Sequence, residues 1–272
     1  MTLDRLLPVA QEAVELASRM VREQRPGTVT EKADRDLVSE TDVAVERAVR
    51  AFLRERTPDV GFLGEEEGAT DSRVDLTWAL DPIDGTSNYV RGLPLCAISL
   101  ALVQERDAVL GIIDAPFLGA RYHATRGAGA YLNGVPIHVS ATQHLREAVV
   151  AIGDYASGKD AAAKNPDRLA LTHELADRVQ RIRMLGTAAL DLAWLAEGKL
   201  DAAIMLSNKP WDTQAGVLLA REAGATVRGR SGELHTLEST ATVACATEAL
   251  AAAVGLLITR PGNEERPGYP GL

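Results

Sequence analysis

The spacing of apolar residues changes along this chain and limits its possible folds more than any other feature does. From Leu3 onward, apolar residues recur every three or four positions, which predicts a helix that ends before Pro26. The same period predicts a second helix capped by Thr41. Across residues 61–109 the apolar runs become short and are bounded by Gly, Asp and Pro, as in strands. Further on, Asn133-Gly134 predicts a tight hairpin turn.

The second half of the chain alternates strands with helices, which implies βαβ units and a layered α/β (α+β) architecture. The predicted strands are Val149–Ile152, Ile182–Leu185, Ala202–Leu206, Ala225–Arg228 and Thr242–Cys245, and the predicted helices are Arg168–Val179, Ala188–Glu197, Asp212–Ala223 and Glu248–Ile258. No Pro- or Ser-rich linker divides the chain. We therefore expect an N-terminal half over 1–145 that carries most of the functional acids, a C-terminal half over 146–260, and a flexible tail over 261–272.

Composition excludes several classes of protein. Of 272 residues, 46% are apolar and 25% charged, as in a soluble globular protein. The net charge of −9 repels phosphate backbones and anionic lipids, so neither nucleic acid nor membrane is an expected partner. Cys96 and Cys245 form neither a disulfide framework nor a zinc ligand set. Because no apolar run approaches about 20 residues and no secretory signal pattern is present, we expect a cytoplasmic protein.

Acidic residues are concentrated between positions 59 and 84, where Arg73 is the only base. The eight acids are Asp59, Glu65, Glu66, Glu67, Asp71, Asp75, Asp81 and Asp84. Like charges this close are costly unless water solvates them or a cation neutralises them. A solvated acidic loop is therefore one interpretation, and a divalent-cation site is the other.

The positions of Glu65, Glu66 and Asp81 favour the cation site, because the two glutamates follow a predicted strand and Asp81 closes another. Asp84 comes three residues after Asp81, beyond the rigid Pro82, and Gly85 then allows a close approach of the backbone. A helix start directly after Gly85 would offer free N–H groups to a phosphate. Together these features indicate phosphoester chemistry. Asp212, taken alone, predicts only a helix N-cap.

Several motifs occur in the order found in one known family. They are Asp36 to Asp42, Gly64-Glu65-Glu66, Trp78 to Thr86, Gly186 to Asp191, and Trp211 to Gly216. With these motifs the chain resembles the inositol monophosphatase family of magnesium-dependent, lithium-sensitive phosphomonoesterases. The resemblance implies an alternating α-β-α-β-α sandwich of the inositol monophosphatase and fructose-1,6-bisphosphatase type.

The resemblance also implies two or three Mg²⁺ ions. Glu65, Asp81 and the carbonyl of Ile83 correspond to ligands of the first ion. Asp81, Asp84 and Asp212 correspond to ligands of the second, and Glu65 also contacts a third. In such a site the hydrolysis needs no covalent intermediate.

The resemblance further implies the roles of the remaining site residues. Thr86, oriented by Asp42 and assisted by Glu65, would direct the attacking water, and the N–H groups of Gly85 and Thr86 would hold the phosphate. The residues implied on the substrate side are Asp84, Gly186, Thr187 and Ala188.

The sequence departs from the family pattern at two places. Glu31 stands where many members have a lysine, and Lys32 follows one position later. A one-residue shift of the loop would bring Lys32 to the family position, but Lys32 is left out of the predicted site. Met205 stands where members that act on inositol have a glutamate that contacts a ring hydroxyl. A thioether is a weak acceptor, so the alcohol must be bound differently or selected loosely, with Asn208 and Lys209 as possible replacements.

The expected activity is Mg²⁺-dependent hydrolysis of a small phosphorylated polyol, with inositol monophosphate as the first choice. Histidinol phosphate, a sugar bisphosphate or a nucleotide 3′-phosphate are alternatives for the same chemistry. A regulatory or RNA-associated scaffold that retains the fold is an alternative of another class, which the acidic net charge disfavours. The family resemblance also favours a homodimer.

Overall fold

The computed structural model describes residues 3–70 and 73–259. The helices are α1 (Leu3–Glu23), α2 (Glu40–Arg56), α3 (Thr86–Val90), α4 (Ala161–Arg178), α5 (Ala188–Ala196), α6 (Pro210–Glu222) and α7 (Glu248–Thr259). The strands are β1 (Val29–Ala33), β2 (Asp36–Ser39), β3 (Gly61–Gly64), β4 (Gly68–Thr70), β5 (Thr77–Asp84), β6 (Ala97–Gln104), β7 (Asp107–Ala115), β8 (Ala120–Thr125), β9 (Ala130–Leu132), β10 (Val135–Ile137), β11 (Val149–Ile152), β12 (Arg181–Arg183), β13 (Ala202–Met205), β14 (Thr226–Arg228) and β15 (Thr242–Cys245).

Apolar cores fill the spaces between five alternating layers. Trp78 belongs to the core between α1–α2 and an eight-stranded sheet, and Leu218 to the core between that sheet and α5–α6. Leu192 lies between α5–α6 and a five-stranded sheet, and Val254 between the second sheet and α4–α7. The predicted α-β-α-β-α sandwich is thereby confirmed.

The strand order places the functional segments side by side. The first sheet runs β10-β9-β8-β7-β6-β5-β3-β4, and β3 and β5 are its parallel pair. Their carboxyl ends therefore meet at one edge, where ligands of open sheets commonly bind. In the second sheet, β11 pairs in parallel with both β12 and β13. Because α5 and α6 pack on both sheets, the division at residue 145 stays a prediction.

Several local predictions are corrected by the structure. The second helix begins at Glu40 with Ser39 as its N-cap, whereas Thr41 donates its hydroxyl to the Arg25 carbonyl at 2.8 Å. The β1–β2 hairpin was not predicted from the sequence, because its residues are largely exposed and lack an apolar run. In the described part of the chain, no helix combines the length and apolarity needed to cross a membrane. The predicted tail over 261–272 lies outside the described residues.

Candidate active site

Carboxylates that are distant in sequence line one cavity of about 360 Å³. Glu65 follows β3, Asp81 and Asp84 belong to β5, and Asp212 comes from α6. The other predicted site residues on the cavity wall are Ile83, Gly85, Thr86 and Gly186. The structure thus gathers the predicted ligand residues, which had been linked only through the family resemblance.

An irregularity in β5 allows Asp81 and Asp84 to share this cavity. Residues three apart in a regular strand face opposite sides of the sheet. The pairing of β5 with β6 shifts register between Asp81 and Asp84, at the point where Pro82 lacks an N–H for the ladder. Asp81 then accepts the Ile83 N–H at 3.0 Å through Oδ1, which closes the bend. Both carboxylates consequently line the same space.

Glycine is required where β5 passes into α3. Gly85 has φ of +91°, in the left-handed region that disfavours other residues. A Cβ at this position would also lie 2.9 Å from the Leu95 carbonyl oxygen and 3.2 Å from that of Gly186. The backbone therefore passes very close to its neighbours immediately before Thr86.

Thr86 is held by a buried carboxylate behind the cavity wall. Its Oγ1 lies 3.0 Å from Asp42 Oδ1 and 3.1 Å from the Ile83 carbonyl oxygen. Asp42 also accepts from the Ser39 N–H at 3.0 Å and from the Ser39 hydroxyl. Burial raises the pKa of Asp42 although these hydrogen bonds oppose the rise. The predicted pairing of Asp42 with Thr86 is thus present in the geometry.

Asp212 lies in the first turn of α6. It is the third residue of the helix, with Lys209 at the N-cap position, so the N-cap role predicted from Asp212 alone is wrong. Its Oδ2 accepts the Lys209 N–H at 2.8 Å. Ser99 of β6 donates to the Trp211 carbonyl at 3.0 Å, which ties the start of α6 to the first sheet. This contact brings a C-terminal carboxylate to the acids of β5.

The start of α5 holds Asp84. Asp84 Oδ2 accepts the Thr187 hydroxyl and the Ala189 N–H, both at 2.6 Å, and Thr187 caps α5. Gly186 lines the cavity, whereas Thr187 and Ala188 do not. Thr187 contacts Asp84, and Ala188 packs against the core between α5–α6 and the second sheet. Of the three predicted residues in this segment, Gly186 is therefore the one on the cavity wall.

The carboxylates repel one another. Burial, and then the charges of Glu65, Asp84 and Asp212, hold the pKa of Asp81 well above its ordinary value. Burial raises the pKa of Asp84 to about 7 against the hydrogen bonds from α5, and the charge of Glu65 adds to the rise. Burial and the charge of Asp84 raise the pKa of Asp212 to about 7. A bound cation would relieve this repulsion.

The donor set suits a hard divalent cation, but its oxygens also bond to protein groups. Across residues 3–70 and 73–259, no three His, Cys, Asp or Glu side chains are arranged to hold a metal ion as they stand. Lys32 Nζ lies 2.8 Å from Glu65 Oε1, and the contacts of Asp81, Asp84 and Asp212 given above engage one oxygen of each. Several carboxylates and a carbonyl beside one cavity are nevertheless the ligand types that Mg²⁺ takes. Binding would require small turns of these side chains.

Comparison with known proteins decides the family. The model of the inositol monophosphatase family matches residues 2–258. The chain belongs to the inositol monophosphatase family. It is 35% identical over 246 residues to an inositol monophosphatase of Dictyostelium discoideum, covering 88% of this chain and 89% of the relative. It is 37% identical over 199 residues to a fructose-1,6-bisphosphatase/inositol-1-monophosphatase of Thermotoga maritima, covering 73% of each.

A solved structure agrees with this assignment. The extragenic suppressor protein suhB of Bartonella henselae matches with a TM-score of 0.88 at 29% identity, over 94% of this chain and 98% of that one. The resemblance found in the sequence is thereby confirmed. Inositol monophosphatases are phosphoric monoester hydrolases and are generally metal-dependent, so this family member is a phosphoric monoester hydrolase.

Lys32 contacts the candidate site although the sequence interpretation left it out. Its Nζ bonds to Glu65 at 2.8 Å and to Glu66 at 2.6 Å. Burial opposes its charge, but these hydrogen bonds outweigh burial and raise the pKa of Lys32. The β1–β2 pairing shifts register between Glu31 and Ala33. This bulge accounts for a lysine one position away from the usual family position.

The residues that were considered for contact with the alcohol, Met205, Asn208 and Lys209, do not line the cavity. Met205 is 2% exposed and belongs to the core between α5–α6 and the second sheet. Asn208 donates an amide N–H to the Ser239 carbonyl at 3.0 Å, and its amide oxygen accepts the Thr242 hydroxyl at 3.1 Å. Asp154 lines the cavity instead, just after β11, which pairs with the strand of Met205. Among the described residues, no hydrogen bond or ion pair engages the exposed Asp154 carboxylate.

Proposed function

We propose that this chain is a Mg²⁺-dependent phosphomonoesterase of small phosphorylated polyols, with inositol monophosphate as the first candidate substrate. The observation that carries the proposal is the convergence of Glu65, Asp81, Asp84 and Asp212 on one cavity. These residues come from three separate stretches of sequence and two halves of the fold. Burial and neighbouring negative charges raise the pKa of Asp81, Asp84 and Asp212, so these carboxylates need a counter-charge in order to act together near neutral pH.

The four carboxylates, with the Ile83 carbonyl, would hold two or three Mg²⁺ ions. Bound there, the ions would supply positive charge to the phosphate and activate water for in-line attack. Thr86 donates its hydroxyl hydrogen toward Asp42, which leaves its lone pairs free to accept a hydrogen bond from that water. Glu65 faces the same cavity and would take up the proton of the water.

The backbone after β5 would bind the phosphate. The left-handed Gly85 turns the chain so that α3 begins at Thr86 on the cavity wall. The N–H groups of Gly85 and Thr86 would donate to phosphate oxygens and stabilise the charge that grows in the transition state. A side chain at position 85 would collide with the Leu95 and Gly186 carbonyl oxygens and would displace this turn.

The alcohol half would be bound by hydrogen bonds to its hydroxyl groups. Asp154 presents a carboxylate without a partner among the described residues, and Asp84 and Gly186 line the same cavity. A carboxylate accepts strongly from hydroxyl groups, whereas it repels a second phosphate. This chemistry supports a polyol monophosphate over a bisphosphate.

A substrate panel tests the proposal. Phosphate release is measured from inositol 1-phosphate, histidinol phosphate, fructose 1,6-bisphosphate and a nucleoside 3′-phosphate, each with Mg²⁺, with EDTA and with Mg²⁺ plus Li⁺. We expect Mg²⁺-dependent, Li⁺-inhibited release with the highest kcat/KM for inositol 1-phosphate. Equal turnover in EDTA would contradict the metal assignment, and preference for another substrate would correct the substrate alone.

We also propose that the enzyme acts in the cytoplasm as a homodimer. Phe117 is 44% exposed and stacks on Tyr89 of α3, and Leu93, just after that helix, is 49% exposed. Apolar side chains exposed beside one helix support a self-association surface. One chain has a mass of 29.0 kDa, and sedimentation equilibrium is expected to give twice that mass. A monomer at micromolar concentration would contradict the proposal.

A further inference from the structure

Glu46 of α2 is a fully buried carboxylate that the proposed reaction does not use. Its side chain is 0% exposed, and a buried carboxylate is costly unless hydrogen bonds and an opposite charge compensate it. Its Oε2 accepts the Glu66 N–H at 2.8 Å, and its Oε1 accepts the Glu67 N–H at 2.9 Å. Both N–H groups belong to the turn between β3 and β4, the turn that presents Glu65 to the cavity.

Arg50, one helical turn after Glu46, completes the arrangement. Its Nη2 lies 2.8 Å from Glu46 Oε1 and 2.9 Å from the Gly68 carbonyl oxygen, and its guanidinium stacks over Phe62 of β3 at 4.5 Å. The charge of Glu46 is therefore compensated beneath the turn. The β3–β4 turn is thus held from α2 at Glu66, Glu67 and Gly68.

Spacing along α2 links this turn to Thr86. Asp42, Glu46 and Arg50 are four residues apart and so share one face of the helix. Asp42 bonds to Thr86, and Glu46 bonds to the turn that carries Glu65. One helix face therefore fixes both the residue that would direct water and a residue that would hold the cation.

Gly64, directly before Glu65, shows how closely the carboxylate packs. A Cβ at position 64 would overlap all three carboxyl atoms of Glu46. The carboxylate thus fills the space directly beneath the backbone of the turn. Glu65 itself is otherwise held by its N–H to the Leu80 carbonyl at 3.3 Å and by Lys32, which contacts its side chain.

We propose that Glu46 is a positioning residue that sets where Glu65 enters the cation site. The inference rests on the proposed function, because Glu65 is taken as a cation ligand there. Without the two hydrogen bonds that Glu46 accepts, the turn would relax. The Glu65 carboxylate would then stay bonded to Lys32 instead of turning toward the cation. Loss of an outer contact of this kind typically lowers metal affinity about 10–100-fold.

Glu46→Gln tests the proposal, because it keeps the shape of the side chain but turns one acceptor into a donor that faces an N–H. Mg²⁺ binding to the metal-free protein is measured by isothermal titration calorimetry. We expect the Kd for Mg²⁺ to rise about 10-fold or more, while kcat at saturating Mg²⁺ stays within about threefold of wild type. Amide hydrogen exchange at Glu66 and Glu67 should become faster.

Arg47→Ala is the matched control. Arg47 Nε lies 2.6 Å from Glu67 Oε1, so it contacts the same turn, but its side chain is 67% exposed. An exposed ion pair contributes little, so the Kd for Mg²⁺ should remain that of wild type. If Glu46→Gln does not fold, Glu46→Asp retains the charge beside Arg50 and shortens the reach to the turn, with the same rise in Kd expected.

The outcomes separate the two claims. A folded Glu46→Gln or Glu46→Asp protein with the wild-type Kd and unchanged amide exchange would overturn the positioning role alone. An equal rise in Kd for Arg47→Ala would also overturn it, because any contact with the turn would then suffice. A wild-type protein that binds no Mg²⁺ would overturn the proposed function, and the positioning role with it.

Discussion

At the residue scale, Asp81 is the most deeply buried of the four carboxylates, at 3% exposed. We expect Asp81→Asn to lower kcat/KM about 10²–10³-fold, because it removes the charge of a predicted ligand and the loss of one group that stabilises a transition state has an effect of this size. Without metal, the same variant should be more stable than wild type, because it relieves repulsion by Glu65, Asp84 and Asp212. Phosphate release and thermal unfolding in EDTA measure the two effects.

Asp75→Asn is the control for this substitution, because Asp75 is an exposed acid shortly before β5. It should leave both kcat/KM and the unfolding temperature near wild type. Near-normal Mg²⁺-dependent turnover in Asp81→Asn would contradict the ligand assignment. A lower unfolding temperature in EDTA would show instead that Asp81 stabilises the metal-free fold.

Asp154 is the residue on which substrate selection can be tested. We expect Asp154→Ala to raise KM for inositol 1-phosphate about 10–100-fold, the usual effect of losing a hydrogen bond to a charged group, with little change in kcat. Phenyl phosphate has no free hydroxyl, so its KM should not change. Initial rates with both substrates give the comparison, and an equal change in both KM values would place Asp154 on the phosphate side.

Individual site residues were predictable only where a local pattern marks them. Asp81 and Asp84 could be assigned from the turn sequence, and Glu65 from its place after a strand. Lys32 and Asp154 could not, because a bulge places Lys32 beside Glu65 and strand pairing places Asp154 beside β13. The residues next to Lys32 and Asp154 in the sequence indicate neither the bulge nor the strand pairing. Glu46 was missed for the same reason, since its partners are backbone N–H groups twenty residues away.

At the element scale, the close contact of α6 with the first sheet can be tested at Gly111 of β7. A Cβ there would lie 2.8 Å from the Ala215 carbonyl oxygen and 2.9 Å from its Cα, both backbone atoms. We expect Gly111→Ala to push α6 away, to cost about 1–3 kcal/mol of unfolding free energy, and to weaken Mg²⁺ binding by displacing Asp212. Urea unfolding and calorimetry measure these changes.

Gly255 of α7 provides the matched glycine substitution. A Cβ at Gly255 meets no atom of residues 3–70 or 73–259 within 4 Å, so Gly255→Ala should stabilise the helix by about 0.5–1 kcal/mol and leave Mg²⁺ binding unchanged. If Gly111→Ala were equally harmless, the contact between β7 and α6 would not be what holds Asp212 in place.

Elements were predictable to the extent that their apolar period is strong. Thr242–Cys245 has the predicted bounds, and the helix of residues 188–196 differs by one residue. The helix predicted from Arg168 instead begins at Ala161, because its first turns are exposed and carry no buried apolar residue to mark them. The β1–β2 hairpin was missed for the same physical reason, although it brings Lys32 to the Glu65 carboxylate.

At the scale of the whole molecule, the carboxylates come from different layers of the fold. Asp81 and Asp84 belong to the first sheet, and Asp212 to a helix that packs on both sheets. Their mutual repulsion therefore acts between elements from opposite ends of the chain. The molecule has a net charge of −9. Without a bound cation, part of this negative charge is concentrated where the layers meet.

The stability of the metal-free protein should therefore fall as the pH rises from 6 to 8. Folding raises the pKa of Asp84 and Asp212 to about 7, whereas in the unfolded chain both ionise near pH 4. Between these values the folded form binds more protons, so the free energy of unfolding decreases with rising pH. We expect a loss of about 2 kcal/mol, or about 4–8 °C in Tm in EDTA.

The buried His235 contributes with the opposite sign but mainly below this range. Burial, and then the charge of Arg221, lower its pKa to about 4, although Asp107 and Glu233 oppose the shift. The stability that His235 contributes is therefore lost as the pH falls from about 6.5 to 4. Above pH 6, Asp84 and Asp212 change the free energy of unfolding more than His235 does. Millimolar Mg²⁺ should bind only the folded, ionised site and restore most of the Tm at pH 8. A Tm in EDTA that rises from pH 6 to 8 would show that folding does not raise the pKa of Asp84 and Asp212, and a Tm that Mg²⁺ leaves unchanged at pH 8 would show that the carboxylates do not bind the cation.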